Sequence, residues 1–153
     1  WDYLSLPSPL FDGSQILLTD EHEKWLHDMV MSASGGDGGD SNIVPELLYE
    51  CTDDSKSAEA FHESCDGKGA TLTVVRCTNG YVFGGYHPGS WTSDWGWGRE
   101  ENAFVFSLVN PVGTAPTKYN VTNPDNAVYN NSTSGPVFGD DDICCWNNDG
   151  ESD

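Results

Sequence analysis

His22 and His27 flank an acidic run that contains Glu23. A helical zinc protease site needs histidines at i and i+4, so that both rings leave the same side of the helix. A spacing of five turns these two about 140° apart, so the pair does not predict a metal centre. Serine, histidine and aspartate all occur in the chain, but no Gly-x-Ser-x-Gly elbow surrounds any serine, and Asp53-Asp54 is read as solvated loop charge. No catalytic residue is assigned on this basis, and the chain is expected not to be an enzyme.

Two acidic segments invite a calcium reading. Gly35-Gly36-Asp37-Gly38-Gly39-Asp40 matches the start of a calcium-binding nonapeptide, but it occurs once, and a single copy cannot stack into a coil. It is read as a flexible linker. Asp140, Asp141 and Asp142 offer hard oxygen ligands in a loop that suits calcium, without the spacing of an EF-hand. Solvated charge is the plainer reading there, and a calcium site is the alternative. Trp91, Trp95 and Trp97, interleaved with Gly96 and Gly98, form either a loop that caps the core or an aromatic platform for a sugar or peptide.

The elements that must position these residues are mostly strands. Asp20 to Val30 is expected to be an amphipathic helix, with Asp20 as N-cap, Glu23 at N3, and Trp25, Leu26, Met29 and Val30 on one stripe. Leu47 to Cys51 is the first strand candidate, and a short helix over Ser57 to Ser64 would bury Ala60 and Phe61. Thr71 to Cys77 and Tyr81 to Tyr86 are separated by Thr78-Asn79-Gly80, in which Asn-Gly is a hairpin signal. Ala103 to Val109 alternates so that Phe104, Phe106 and Leu108 share a face. Short strands are expected near Ala127 to Tyr129 and Ile143 to Trp146. Without βαβ alternation, a parallel sheet is not expected.

Bulk properties exclude several classes of function. The chain has 153 residues and a formal charge of −19, and a surface that acidic repels phosphate backbones and anionic headgroups. Nucleic acid and bilayer surfaces are therefore excluded as partners, while the same surplus favours cations, basic proteins or simply solubility. No apolar run approaches the length of about 18 residues needed to span a bilayer. Five scattered cysteines form neither paired CxxC groups nor a dense disulfide framework.

Several segments, in order, resemble the signatures of the TLDc domain. They are Leu47-Leu48-Tyr49, Ala60-Phe61-His62, Cys65 to Gly69, Thr78 to Tyr86 with Trp91, Asn102 to Leu108, Pro124 to Tyr129 and Gly135 to Gly139. The resemblance implies a mainly β (α+β) fold, a two-sheet antiparallel β-sandwich with short flanking helices. It also implies kinship with stress-protective proteins that bind the vacuolar-type proton pump and have no accepted catalytic machinery. On this reading residues 1–14 are an extended arm, 15–146 the TLDc-like domain and 147–153 a polar acidic tail.

TLDc domains usually continue past the segment that corresponds to Ile143 to Trp146 and add a further strand, so one sheet is expected to keep an open position. The expectation is that the arm, through Trp1, Tyr3, Leu4, Leu6, Leu10 and Phe11, fills that position in a neighbouring copy and builds a head-to-tail filament. Pro7 and Pro9 remove donors from one edge of the arm and leave the even-numbered edge able to pair. Asn-x-Ser/Thr acceptors at Asn120, Asn130 and Asn131, an acidic surface and the absence of an initiator Met point outside the cell, to a glycosylated structural subunit. In that compartment Cys51 and Cys77, each ending an expected strand, are the first candidates for a disulfide. The alternatives are an intracellular adaptor on the proton pump and a calcium-dependent binding module.

Overall fold

The computed structural model describes residues 16, 18–35, 44–52, 56–140 and 142–145. The arm residues Trp1, Tyr3, Leu4, Leu6, Leu10 and Phe11 lie outside the described residues, as do most of the glycine-rich linker and the acidic tail. The chain divides into two compact units, Trp1–Leu47 and Leu48–Asp153.

The first unit contains helix α1, Asp20–Ala33. Its N-cap is Thr19, one residue earlier than expected, because the Thr19 hydroxyl accepts from the His22 amide at 3.2 Å. Asp20 instead joins Glu21 and Glu23 in the first turn, where negative charge opposes the positive end of the helix dipole. Leu26 and Ala33 are the buried positions, and Trp25, Met29 and Val30 are half-buried.

Among its described residues the second unit holds helix α2, Ala58–Cys65, and eight strands. Ser57 caps α2 by accepting from the Ala60 amide at 3.0 Å. Ala58, Phe61, His62 and Cys65 are buried at helical spacing, so the apolar stripe starts at Ala58, and Ala60 stays half-buried.

One sheet has the order β1-β2-β4-β5, formed by Thr71–Arg76, Val82–His87, Phe104–Val109 and Thr117–Asn120. The other has the order β3-β6-β7-β8, formed by Gly96–Gly98, Val128–Asn130, Val137–Phe138 and Ile143–Cys144. Every strand pair is antiparallel. The β1–β2 hairpin closes with the three-residue loop Thr78-Asn79-Gly80, as its sequence leads us to expect. Gly80 donates to Cys77 O, Cys77 donates to Tyr81 O, and Gly80 has φ +88°.

Leu47 to Cys51 is not a strand. Residues 44–52 form no ladder, and Leu48 and Tyr49 contribute side chains to the core instead. That core gathers Phe61, Cys65, Trp91, Val128, Phe138 and Ile143, with Phe83 and Val105 packed against it. Trp91 lies at its centre, edge-on to Phe61 at 5.7 Å and to Phe138 at 5.5 Å, and its indole donates to Thr71 Oγ1 at 2.9 Å. Phe83 and Gly85 on β2 face Phe138 across the sheets, whereas Val82 and Tyr86, with Phe104, Phe106 and Leu108 of β4, lie on the opposite face and are also buried.

Candidate functional site

Side chains with chemical potential gather at the end of α2. His62 is the last-turn histidine, and Asp66 follows it by one helical turn, so the two meet with Nδ1 2.7 Å from Oδ1. The other ring nitrogen, Nε2, lies 2.8 Å from Asn131 O and 3.1 Å from Ser134 O. Both carbonyls can only accept, so Nε2 donates to them. The Ser93 hydroxyl donates to the second oxygen of Asp66 at 2.7 Å. Glu59, Glu63 and Ser132 join these groups around an open depression of about 530 Å³.

Serine, histidine and aspartate thus meet in space, but in the wrong order for a nucleophile. Activating a serine requires its hydroxyl to donate to an imidazole nitrogen that has a free lone pair. Here Ser93 donates to the carboxylate, and both ring nitrogens already face other partners. The grouping is a clip that ties α2 to the loop carrying Asn131 and Ser134. Sequence reasoning missed it because Ser93, Asn131 and Ser134 lie far from His62 along the chain. The i, i+4 spacing of His62 and Asp66 was the available signal.

A second buried histidine stands behind the loop that leads to β3. His87 is 2% exposed, its Nε2 is 3.3 Å from Glu100 Oε1, and its Nδ1 has no hydrogen-bond partner among the described residues. Burial pushes its pKa down to about 4, and burial raises Glu100 above the ordinary carboxylate value. A neutral ring that packs edge-on against Trp91 at 4.6 Å belongs to the core.

The surface itself offers β3. This strand lies at one margin of its sheet, pairing with β6 and with no other strand among the described residues. Trp97 is paired with Tyr129 of β6, their rings 4.9 Å apart, yet it remains 42% exposed. Trp95, two residues earlier, is 68% exposed. Gly98 lets the strand sit close to β6, since a methyl there would meet a Val128 methyl at 2.7 Å. The tryptophan trio therefore separates, with Trp91 in the core and Trp95 and Trp97 facing water.

Charge around β3 is predominantly negative. Asp94, Glu101 and Asp125 are exposed and Glu100 is half-buried. Arg99 is held by Asp125 and by Glu101 at 2.8 Å, which raises its pKa and offsets part of the local acidity.

The other expected sites are scattered. Asn120 is exposed at the end of edge strand β5. Asn130 is half-buried and its Oδ1 accepts from the Thr92 amide. Asn131 is buried, and its side-chain oxygen accepts from the Thr133 amide and hydroxyl. Asp140 and Asp142 are exposed, and Asp141 lies outside the described residues. Among the described residues no group of three or more His, Cys, Asp or Glu is placed to hold a metal ion.

Among the described residues Cys51, Cys65, Cys77 and Cys145 are free thiols, with no bridge between Cys51 and Cys77. The expected bridge required both residues to end strands, but Cys51 follows a segment that forms none and Cys77 closes the hairpin turn. Cys51 instead acts on Cys145, whose thiol is pushed up to about 11, chiefly by burial and then by Cys144 and Cys51.

A search of curated proteins finds no match. The family model of the TLDc domain matches residues 11–149, which is most of the chain. With two antiparallel four-stranded sheets and two short helices, the chain belongs to the TLDc domain family.

Proposed function

We propose that this protein is a non-enzymatic docking module that holds a basic protein partner against its acidic surface. The observation that carries this reading is the closed bonding of His62, Asp66 and Ser93, in which the groups best suited to chemistry are taken up in holding a loop. What remains for function is the surface, and at −19 it attracts cationic partners and speeds their encounter. The test is calorimetric titration of the purified protein with an eight-residue peptide of alternating lysine and valine, beside the same peptide with glutamate for lysine. The expected result is saturable one-to-one binding of the lysine peptide alone. Equal binding of both, or of neither, overturns the reading.

A second reading is self-assembly, favoured by β8, whose two residues pair with β7 and with no other strand among the described residues. In this reading the arm of one copy extends the sheet of the next along its even-numbered edge, with Leu4, Leu6 and Leu10 sharing one side-chain parity. Such a subunit would work outside the cell, with exposed Asn120 as its best-placed glycan acceptor. Leu4→Asp with Leu6→Asp should abolish filaments in electron micrographs while Ser5→Asp preserves them. A double variant that still assembles removes the arm as donor.

A further inference from the structure

We propose that the outer face of β3, with Trp97, Tyr129 and the neighbouring Trp95, is the docking surface, and that its occupant is an extended segment bearing lysine or arginine. This rests on the reading of the chain as a docking module and names where the module binds. Two tryptophans are exposed within three residues, at 68% and 42%, while Trp91 in the same run is 1% exposed. Leaving one indole in water is ordinary, but exposing two within three residues at a sheet margin builds a surface of the kind that anchors interfaces.

The glycines shape this surface. Gly96 and Gly98 flank Trp97 and carry no side chain to cover its ring. Gly96 has φ +155°, a conformation that favours glycine, and a methyl there would stand in open space. Tyr129 supports the indole from β6 and adds its own ring to the face.

Charge selects the occupant. Asp94, Glu101 and Asp125 are exposed near the strand, and the cation Arg99 beside them is already held by two of these acids. An ammonium or guanidinium group over the indoles would gain from the ring faces and from the acidic rim together. A second copy of this chain would bring another −19 to the same place, and nucleic acid would bring phosphates, so neither suits the surface.

The test follows the tryptophan indole N–H signals of the intact protein by NMR during titration with the alternating lysine–valine peptide. Trp95 and Trp97 are expected to shift together, while Trp91, whose indole is bonded to Thr71, stays in place. Trp95→Ala with Trp97→Ala should weaken binding at least tenfold, whereas Tyr119→Ala, an exposed ring on β5, leaves it unchanged. One-to-one binding that moves neither indole, or that survives the double substitution, overturns this surface while leaving the docking module standing. Absence of peptide binding by the unaltered protein overturns both. Should the double variant fail to fold, the indole shifts of the unaltered protein decide the question.

Discussion

The ring of Phe138 lies over Gly85, so close that a methyl group on Gly85 would meet three ring atoms at 2.7 to 2.8 Å. This contact joins the two sheets at their middle. Gly85→Ala should therefore cost about 1 to 3 kcal/mol through overpacking. Gly84→Ala should cost more, because its methyl would meet the carbonyl oxygen of Thr73, and backbone cannot rotate aside. Urea midpoints for both variants check this, and a Gly84→Ala protein as stable as the unaltered one would contradict the packing described.

His62 should matter more to stability than Ser93, although both bond to Asp66. His62→Ala removes the buried donor shared by Asn131 O and Ser134 O, of which Asn131 O keeps the Ser134 amide, at about 1 to 3 kcal/mol in all. Ser93 is exposed, and Ser93→Ala should cost under about 1 kcal/mol because water replaces its hydroxyl. Equal losses in chemical denaturation would show that the clip does not hold the loop.

His87 sets a pH dependence with a definite sign. Its pKa is about 4 in the folded chain against 6.5 for an ordinary histidine, so the unfolded chain binds more protons between those values. The stability it contributes is complete above pH 6.5 and is lost as pH falls towards 4, by about 3 kcal/mol in all. Glu100 acts in the opposite direction, because its raised pKa makes the folded state the better proton acceptor. Comparison with His87→Gln isolates the histidine, and the stability difference between the two proteins should shrink by that amount from pH 7 to pH 4. Parallel profiles would contradict a buried neutral ring.

Thiol labelling should be sharply graded. Cys65 and Cys145 are both pushed up to about 11, chiefly by burial, and should resist iodoacetamide at pH 8 in the folded protein. Cys51 is exposed and should label first. Mass mapping that finds Cys145 modified ahead of Cys51 would contradict the packing of Cys145 against the core.

Much of the fold was legible because its signals are local. Asn79-Gly80 announced the β1–β2 hairpin, and the alternation of Phe104, Phe106 and Leu108 announced β4 with its buried face. Strands β3, β5 and β7 were not foreseen. Gly96–Gly98 and Val137–Phe138 are too short to show a period, and Thr117–Asn120 is a half-exposed edge with no apolar alternation. Leu47 to Cys51 misled for the opposite reason, since its apolar residues fill the core from a segment that makes no ladder.

The site was only half legible. The tryptophan run stood out by composition, but nothing local separates Trp91, which the core encloses, from Trp95 and Trp97, which it leaves in water. That division depends on where β3 meets β6, a contact some thirty residues apart in sequence. The clip of His62 to the carbonyls of Asn131 and Ser134 spans still more of the chain, and only its helical half, His62 with Asp66, is written in the spacing.

The most direct measurement is the ratio of affinities for the lysine and glutamate peptides, determined side by side for the unaltered protein and for Trp95→Ala with Trp97→Ala. A docking surface on β3 predicts a preference for lysine of at least tenfold that collapses in the variant. A preference that is the same in both proteins would show that the acidic surface acts without β3 and would contradict the account.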